Sequence, residues 1–404
     1  MNTPNIRFKG FGGDWEQRKV GDMTVELSEY GNLQSGYPLL TSSRSGLMFQ
    51  NDFRDKTSTD NLETLFSVVP YGKCTYRHMS DDNIFHFNIN TITEKGLVSR
   101  EYPVFDASEN NNLSFLIQYL NSSPEFTRFC AERKLGGTRT RLYYKNLCEF
   151  KLHAPNKNEQ DKIAEFFTNI DNLITLYQRK CDSLKQVKKY MLQKMFPKQG
   201  EKVPEIRFKG FSGDWEQKKF SEIAKTKRGL TYKPENIVSE GKRVLRSSNI
   251  NEDTFEIHED DVFVDENSVN IPYVKNGDIL ITSANGSNRL VGKHAIVRNI
   301  IDDSMVHGGF MLLASSDEPE FVNALMSSQW YTKFISVYVA GGNGAIGNLN
   351  KNDLDEQIVL VPSNNEMKKL GEYFRNIDNL ITLYQRKVDS LKQVKKYMLQ
   401  NMFP

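Results

Sequence analysis

The sequence predicts an α+β protein. Two domains of mixed α/β structure are joined by two long helices that form an antiparallel intramolecular coiled coil, and the whole is pseudo-two-fold symmetric. Two observations predict this. Residues 169–197 (NIDNLITLYQRKCDSLKQVKKYMLQKMFP) recur at 376–404, differing only at Cys181/Val388 and Lys194/Asn401. Residues 5–19 (NIRFKGFGGDWEQRK) recur at 205–219 as EIRFKGFSGDWEQKK. The stretches between the copies, roughly 20–155 and 220–362, share almost no sequence. A duplicated framework therefore carries two different inserts.

Taken in order, residues 1–155 hold an N-terminal segment and the first insert, 156–197 the first long helix, and 198–219 a linker with the repeated RFKGF–GDWEQ segment. Residues 220–362 hold the second insert and 363–404 the second long helix. In the first insert, YPLLTSS (37–43) and NIFHFNINTI (83–92) alternate as strands do, and LSFLIQYLNSS (113–123) has helical spacing. In the second, GDILITSA (277–284) and KHAIVRNII (293–301) read as strands and 320–338 as one helix.

Steps of seven through the first long helix give a row of Ile163, Ile170, Tyr177, Leu184 and Met191. A second row holds Phe166, Leu173 and Val187, interrupted by Lys180 and Lys194. The second helix repeats both rows with Leu370, Ile377, Tyr384, Leu391 and Met398, then Tyr373, Leu380, Val394 and Lys387. These read as the a and d rows of a seam about five heptads long, on helices of about 50 Å. Asn156 with Glu159, and Ser363 with Glu366, have capping-box spacing, and Pro155 and Pro362 discourage helix upstream. Pro197 closes the first helix before the polar linker KQGEKVP. Antiparallel pairing suits this order, because the chain would close on itself: RFKGF–GDWEQ follows the first helix, and its other copy would follow the second if the chain were circular. Lys180 and Lys387 at d positions lower seam stability and help fix register.

Composition narrows the function classes. Among 404 residues, 38% are hydrophobic, and 53 Lys and Arg against 51 Asp and Glu leave a net charge of only +2. The N-terminus MNTPNIRFKGF has no apolar signal core, and no apolar run reaches the ~18 residues of a membrane span. Cys74, Cys130, Cys148 and Cys181 form no CxxC pair. A cytoplasmic chain with reduced thiols is expected, with no membrane partner and no metal site.

Catalytic motifs are scarce, and no catalytic residue is assigned. There is no Pro-Pro and hence no amino-methyltransferase motif. Gly286–Lys293 has five residues between its glycines and ends in His294, so it is not a phosphate loop. The six histidines are dispersed, and His86 reads as packed within a strand. Both inserts instead carry polar loops bracketed by glycine. In the first these are Thr41, Ser42, Ser43 and Arg44, then Lys73, Tyr76, Arg77 and His78, then Thr138, Arg139 and Arg141. In the second they are Arg246, Ser247, Ser248 and Asn249, then Asn285, Ser287, Asn288, Arg289 and Lys293, then Asn343. Arg reads guanine and Asn reads adenine bidentately, while hydroxyls hold phosphates, so the set is a candidate DNA-binding surface. Phe11, Trp15, Phe211 and Trp215 recur in the framework and read as packing anchors.

Repeated GDWEQ segments, two dissimilar inserts and two helices with NID–I–YQRK motifs resemble the specificity subunit of a type I restriction–modification system, particularly staphylococcal and other Firmicute members. The resemblance covers nearly the whole chain. It implies two target-recognition domains, each reading one half of a bipartite, asymmetric double-stranded DNA target. It implies a coiled coil that sets the spacer and docks two adenine-methyltransferase (modification) subunits, with restriction (translocase and nuclease) subunits recruited to the complex. S-adenosylmethionine, ATP and Mg would be bound by those partners and none by this chain, which would not itself be an enzyme. DNA-mimic anti-restriction proteins could occupy the same faces. The competing expectation is a coiled-coil protein-interaction scaffold without sequence-specific DNA binding.

Overall fold

The computed structural model describes residues 3–50, 62–134, 139–339 and 347–404. The chain forms two compact units, one of residues 1–178 with 386–404 and the other of residues 179–385. Each unit therefore holds one insert, part of one long helix, and a piece of the other.

In the first unit a four-stranded antiparallel sheet runs in the order Thr24–Glu26, Val104–Ala107, Cys74–Tyr76, Phe87–Ile89. A second sheet pairs Lys95–Ser99, Phe66–Pro70 and Tyr30–Gly31, and Leu40–Ser43 forms a hairpin with Gly46–Phe49. Helix Leu113–Ser122 is capped by the Asn112 side chain and buries Phe115, Leu116, Tyr119 and Leu120. The core it completes is aromatic, with Tyr76, Phe87, Phe105 and Phe126 in mutual ring contact or linked through Phe87.

The second unit has a comparable sheet in the order Lys225–Arg228, Met311–Ser315, Ile279–Thr282, His294–Ile296. Its central strand is buried at all four positions, as expected of a continuous apolar run. Beside it a second four-stranded sheet includes one parallel pair, Lys242–Leu245 with Met305–His307. The expected single helix over 320–338 is two, Pro319–Met326 and Gln329–Tyr338. Ser328 adopts an extended backbone between them, and Ser327 Oγ donates back to the Asn323 carbonyl, which ends the first helix.

The framework repeats in detail. Strand Glu16–Lys19 pairs with Lys151–Ala154, and Glu216–Lys219 pairs with Ile358–Val361. Trp15 packs edge-on against Phe403, and Trp215 against Phe196. Ile6 N donates to the Asn401 carbonyl at 2.8 Å, and Ile206 N to the Lys194 carbonyl at 2.9 Å. The start of the chain thus continues from the second helix as residue 206 continues from the first, which is the closure the repeat order implies. Trp15 and Trp215 are the packing anchors expected, each 2% exposed.

The first capping box forms by half. Asn156 Oδ1 accepts from Glu159 N, but the Glu159 carboxylate is bound by the Arg7 fork at 2.6 and 2.7 Å. Glu366 is likewise held by Arg207, at 2.7 Å to both oxygens. A two-toothed charged contact is stronger than one neutral backbone bond, so the arginine of RFKGF takes the carboxylate.

The long helices run Lys157–Lys194 and Asn364–Asn401. In the first unit Lys395 Nζ meets Asp171 at 2.7 Å, and Lys387 lies over the Tyr177 ring. In the second, Lys188 meets Asp378 at 2.7 Å, and Lys180 lies over Tyr384. These pairs run in opposite chain directions, so the segments are antiparallel in each unit. Each contact in one unit is the other's with the two helices exchanged.

The seam differs from the heptad expectation. Buried positions are Ile163, Phe167, Ile170 and Cys181 on the first helix and Leu370, Phe374, Ile377 and Val388 on the second, with Ile174, Tyr177, Leu184, Tyr384 and Leu391 half-buried. The row assigned to d faces solvent at Leu173, Val187, Leu380 and Val394, while Phe166 and Tyr373 pack on Phe8 and Phe208. Steps of three and four straddle the 3.6-residue turn, so either neighbour of the first row could have completed the stripe. The Cys and Lys in the true second row, including buried Lys188, hid it.

Candidate nucleic-acid interface

In each unit the central strand leads into a short strand paired with the segment that precedes the framework. Met79–Ser80 pairs with Thr140–Arg141, and Ala284–Asn285 pairs with Gly347–Asn348. This pairing gathers loops that are distant in sequence.

In the first unit it collects Arg44, Arg77, His78, Arg139 and Arg141. Arg44, at the tip of the Leu40–Phe49 hairpin, pairs with Asp82, and Arg139 Nε pairs with Asp81 at 2.8 Å. Hydrogen bonds from Arg44 and Ser80 hold the Asp82 carboxyl well below the usual carboxylate range. Arg77, Arg139 and Arg141 are exposed. His78 is buried, stacks on Tyr143 with ring centroids 5.6 Å apart, and lies 3.4 Å from Glu101. Burial pushes its imidazole below the usual histidine range, against the pull of Glu101, so it is neutral at pH 7.

Other candidates here serve structure. Tyr76 is fully buried and donates to the Leu142 carbonyl. Ser42 is buried and accepts from Asn88 Nδ2, and Ser43 Oγ closes the hairpin turn onto the Gly46 carbonyl. Thr41 is half-buried in the same hairpin strand. Lys73 is paired with Asp106 at the far end of its strand. Thr138 and Asn343 lie outside the described residues.

In the second unit, Asn285 Nδ2 donates to Ser247 Oγ at 3.0 Å, joining the two loops. Gly347 sits so close to Asn288 that a Cβ there would lie 2.5 Å from its Oδ1. Ser287, Asn288, Arg289 and Ser248 are exposed, and Lys293 is half-buried. The Arg246 Nε is buried without a hydrogen-bond partner among the described residues. Asn249 is structural: fully buried, it caps Arg246 N and donates to Asp261 and the Glu256 carbonyl. The expected set missed Asp81, Asp82, Tyr143 and Phe310. Phe310, after two glycines, is 72% exposed, and the Gly-Gly-Phe spacing was a usable signal.

His86 is not within a strand as expected: it lies half-buried just before Phe87–Ile89, with Nδ1 3.1 Å from Asn88 Oδ1. Among the described residues no three His, Cys, Asp or Glu side chains gather as metal ligands would, and no helix is long and apolar enough to cross a membrane.

The outer helix faces form the other exposed feature. In the first unit Leu173 and Leu176 are exposed with Val394 and Tyr397; in the second, Leu380 and Leu383 with Val187 and Tyr190. The antiparallel register sets Val394 level with Leu173, and Val187 level with Leu380. Each unit thus shows an apolar stripe built from both helices, of the kind that marks an interaction surface.

Comparison with known proteins agrees with this architecture. Residues 86–186 and 212–393 match the model of the type I restriction modification DNA specificity domain. The chain is 23% identical over 261 residues to the type I restriction enzyme MjaVIII specificity subunit of Methanocaldococcus jannaschii, covering 62% of this chain and 60% of that one. It is 22% identical over 190 residues to the HindI specificity subunit of Haemophilus influenzae, covering 45% and 41%. The matches thus span less than two thirds of either relative. In fold it is similar to the crystal structure of a type I restriction–modification S subunit from M. genitalium, with a TM-score of 0.62, 15% identity, and 100% and 99% of the two chains covered. With two matched segments covering most of its length, arranged on a repeated helical framework, the chain belongs to the family of type I restriction–modification DNA specificity subunits.

Proposed function

We propose that this chain selects the DNA sequence on which a type I complex acts, each insert reading one half of a split target. The observation that carries this reading is the pairing of equivalent loop clusters with different side chains. The same strand pair gathers arginines in one unit and Asn, Ser and Arg in the other. Different donors read different bases, so the two half-sites differ and the target is asymmetric.

The helices hold the readers and set the unread spacer. Their exposed stripes dock two adenine-methyltransferase subunits, one per stripe, since each stripe has the same residues. Restriction subunits join the assembly, and S-adenosylmethionine, ATP and Mg belong to those partners. The chain contributes recognition and no catalytic group. With a net charge of only +2, its own phosphate attraction is weak, and the partners add to it.

The test is single-molecule sequencing of DNA from cells that express this chain with its methyltransferase subunit. Methyl-adenine on both strands of one split, asymmetric motif is the expected result. A soluble complex that methylates no specific motif would overturn the reading in favour of a protein scaffold.

A further inference from the structure

Phe310 is 72% exposed although Met311 beside it and His307 three residues earlier are buried. A phenyl group so displayed on a mobile loop would mean little, but this turn is held on every side. Gly308 N donates to the Leu245 carbonyl at 2.9 Å, and Met311 N to the Gly308 carbonyl at 2.8 Å. The Phe310 carbonyl accepts from both Ser283 N and Ala284 N, at 2.9 and 3.1 Å. Gly308 packs so closely on Gly229 that a Cβ on Gly229 would lie 1.9 Å from the Gly308 oxygen. The backbone is thus fixed while the side chain stays largely exposed.

Its surroundings are the second reading cluster. The amides that hold Phe310 lead directly into Asn285, which is bonded to Ser247. A Cβ at Gly308 would lie 3.9 Å from Arg246 Cγ, whose Nε is the buried donor without a partner. The turn that carries this apolar ring is therefore packed on the segments that bear these amide, hydroxyl and guanidinium groups.

We infer that Phe310 is a specificity-determining residue that reads a thymine, by contact with its 5-methyl group in the major groove. This rests on the DNA-reading function proposed above. A phenyl ring has no hydrogen bond to offer, and the thymine methyl is the apolar group that base edges present there. Apolar wedges that enter between base steps belong to minor-groove binders, whereas Arg, Asn and Ser beside this ring match major-groove edges. The equivalent turn of the first unit differs. Its turn between Lys95–Ser99 and Val104–Ala107 carries Tyr102, half-buried with its ring 6.2 Å from that of His78. The thymine contact is confined to the half-site read by the second insert.

The experiment uses the full chain in complex with its methyltransferase subunit. Duplexes bearing the motif have each thymine of that half-site replaced singly by deoxyuridine, which removes only the methyl group. With the wild-type complex one position should slow methylation roughly fourfold, the worth of one buried methyl. With Phe310→Ala that thymine–uracil ratio should fall to about one, while ratios in the other half-site stay unchanged. A ratio unaffected by the substitution, an equal loss on every duplex, or a wild-type complex indifferent to every deoxyuridine in that half-site would overturn the inference. A wild-type complex without sequence-selective methylation would overturn the DNA-reading function itself, and this inference with it.

Discussion

Lys188 and Lys395 occupy the same position of the repeat, yet removing them should have very different costs. Lys188 is 9% exposed and lies 2.7 Å from Asp378 and 3.0 Å from Asp253. Lys395 is 24% exposed and meets Asp171, itself 41% exposed. Burial disfavours the charge on Lys188, but Asp378 and Asp253 outweigh it and raise its pKa. Replacing Lys188 by Ala leaves two carboxylates facing each other without a counter-charge. Asp253 is 58% exposed and partly rescued by water, so most of the penalty falls on Asp378. Loss of one partner of a buried pair costs about 3 kcal/mol here, against at most about 1 kcal/mol for the more open pair. Urea denaturation of the full chain, followed by circular dichroism and tryptophan fluorescence, should show a large loss for Lys188→Ala and a small one for Lys395→Ala. Pairing Lys188→Met with Asp378→Asn and Asp253→Asn should recover most of it. Equal effects of the two alanine variants, within about 0.5 kcal/mol, would refute the claim that burial sets their weights.

Arg207→Ala strands the 1%-exposed Glu366 carboxylate and should cost about 3–5 kcal/mol in the same denaturation assay, with Arg207→Lys recovering only part, because an ammonium cannot grip both oxygens. Burial pushes His307 down to about 4, whereas it titrates near 6.5 when unfolded, so the unfolded chain takes up the proton first as pH falls. Stability should be complete above pH 6.5 and fall by about 3 kcal/mol toward pH 4; His307→Leu should flatten that slope in denaturation midpoints. Tyr190→Asp with Leu383→Asp, both exposed and on one stripe, should leave stability within about 0.5 kcal/mol and cut the co-purifying methyltransferase from two subunits to one. Replacing residues 20–155 by another insert should change one half-site of the methylated motif and leave the other intact.

Much of the framework was legible because it is written twice. A repeat reveals which residues are required to be alike, and heptad spacing and prolines bound its helices. The Arg7–Glu159 fork was not legible, since the partners are 152 residues apart and a local capping box explains the same glutamate equally well. In the loops, residue type named the candidates but not their exposure. Asn249 and Arg289 are both plausible base readers, yet one is fully buried in a turn and the other is exposed.

The sequence by itself determined the duplicated scaffold and the existence of two unlike inserts, and favoured antiparallel pairing, because repetition and periodicity are properties of the chain. Only the tertiary structure decided which helix row is buried, which loop residues meet, and that Phe310 stands exposed beside Arg246 and Asn285. Those outcomes depend on contacts between distant segments: a three- or four-residue step can point either way until a neighbouring surface covers one of them.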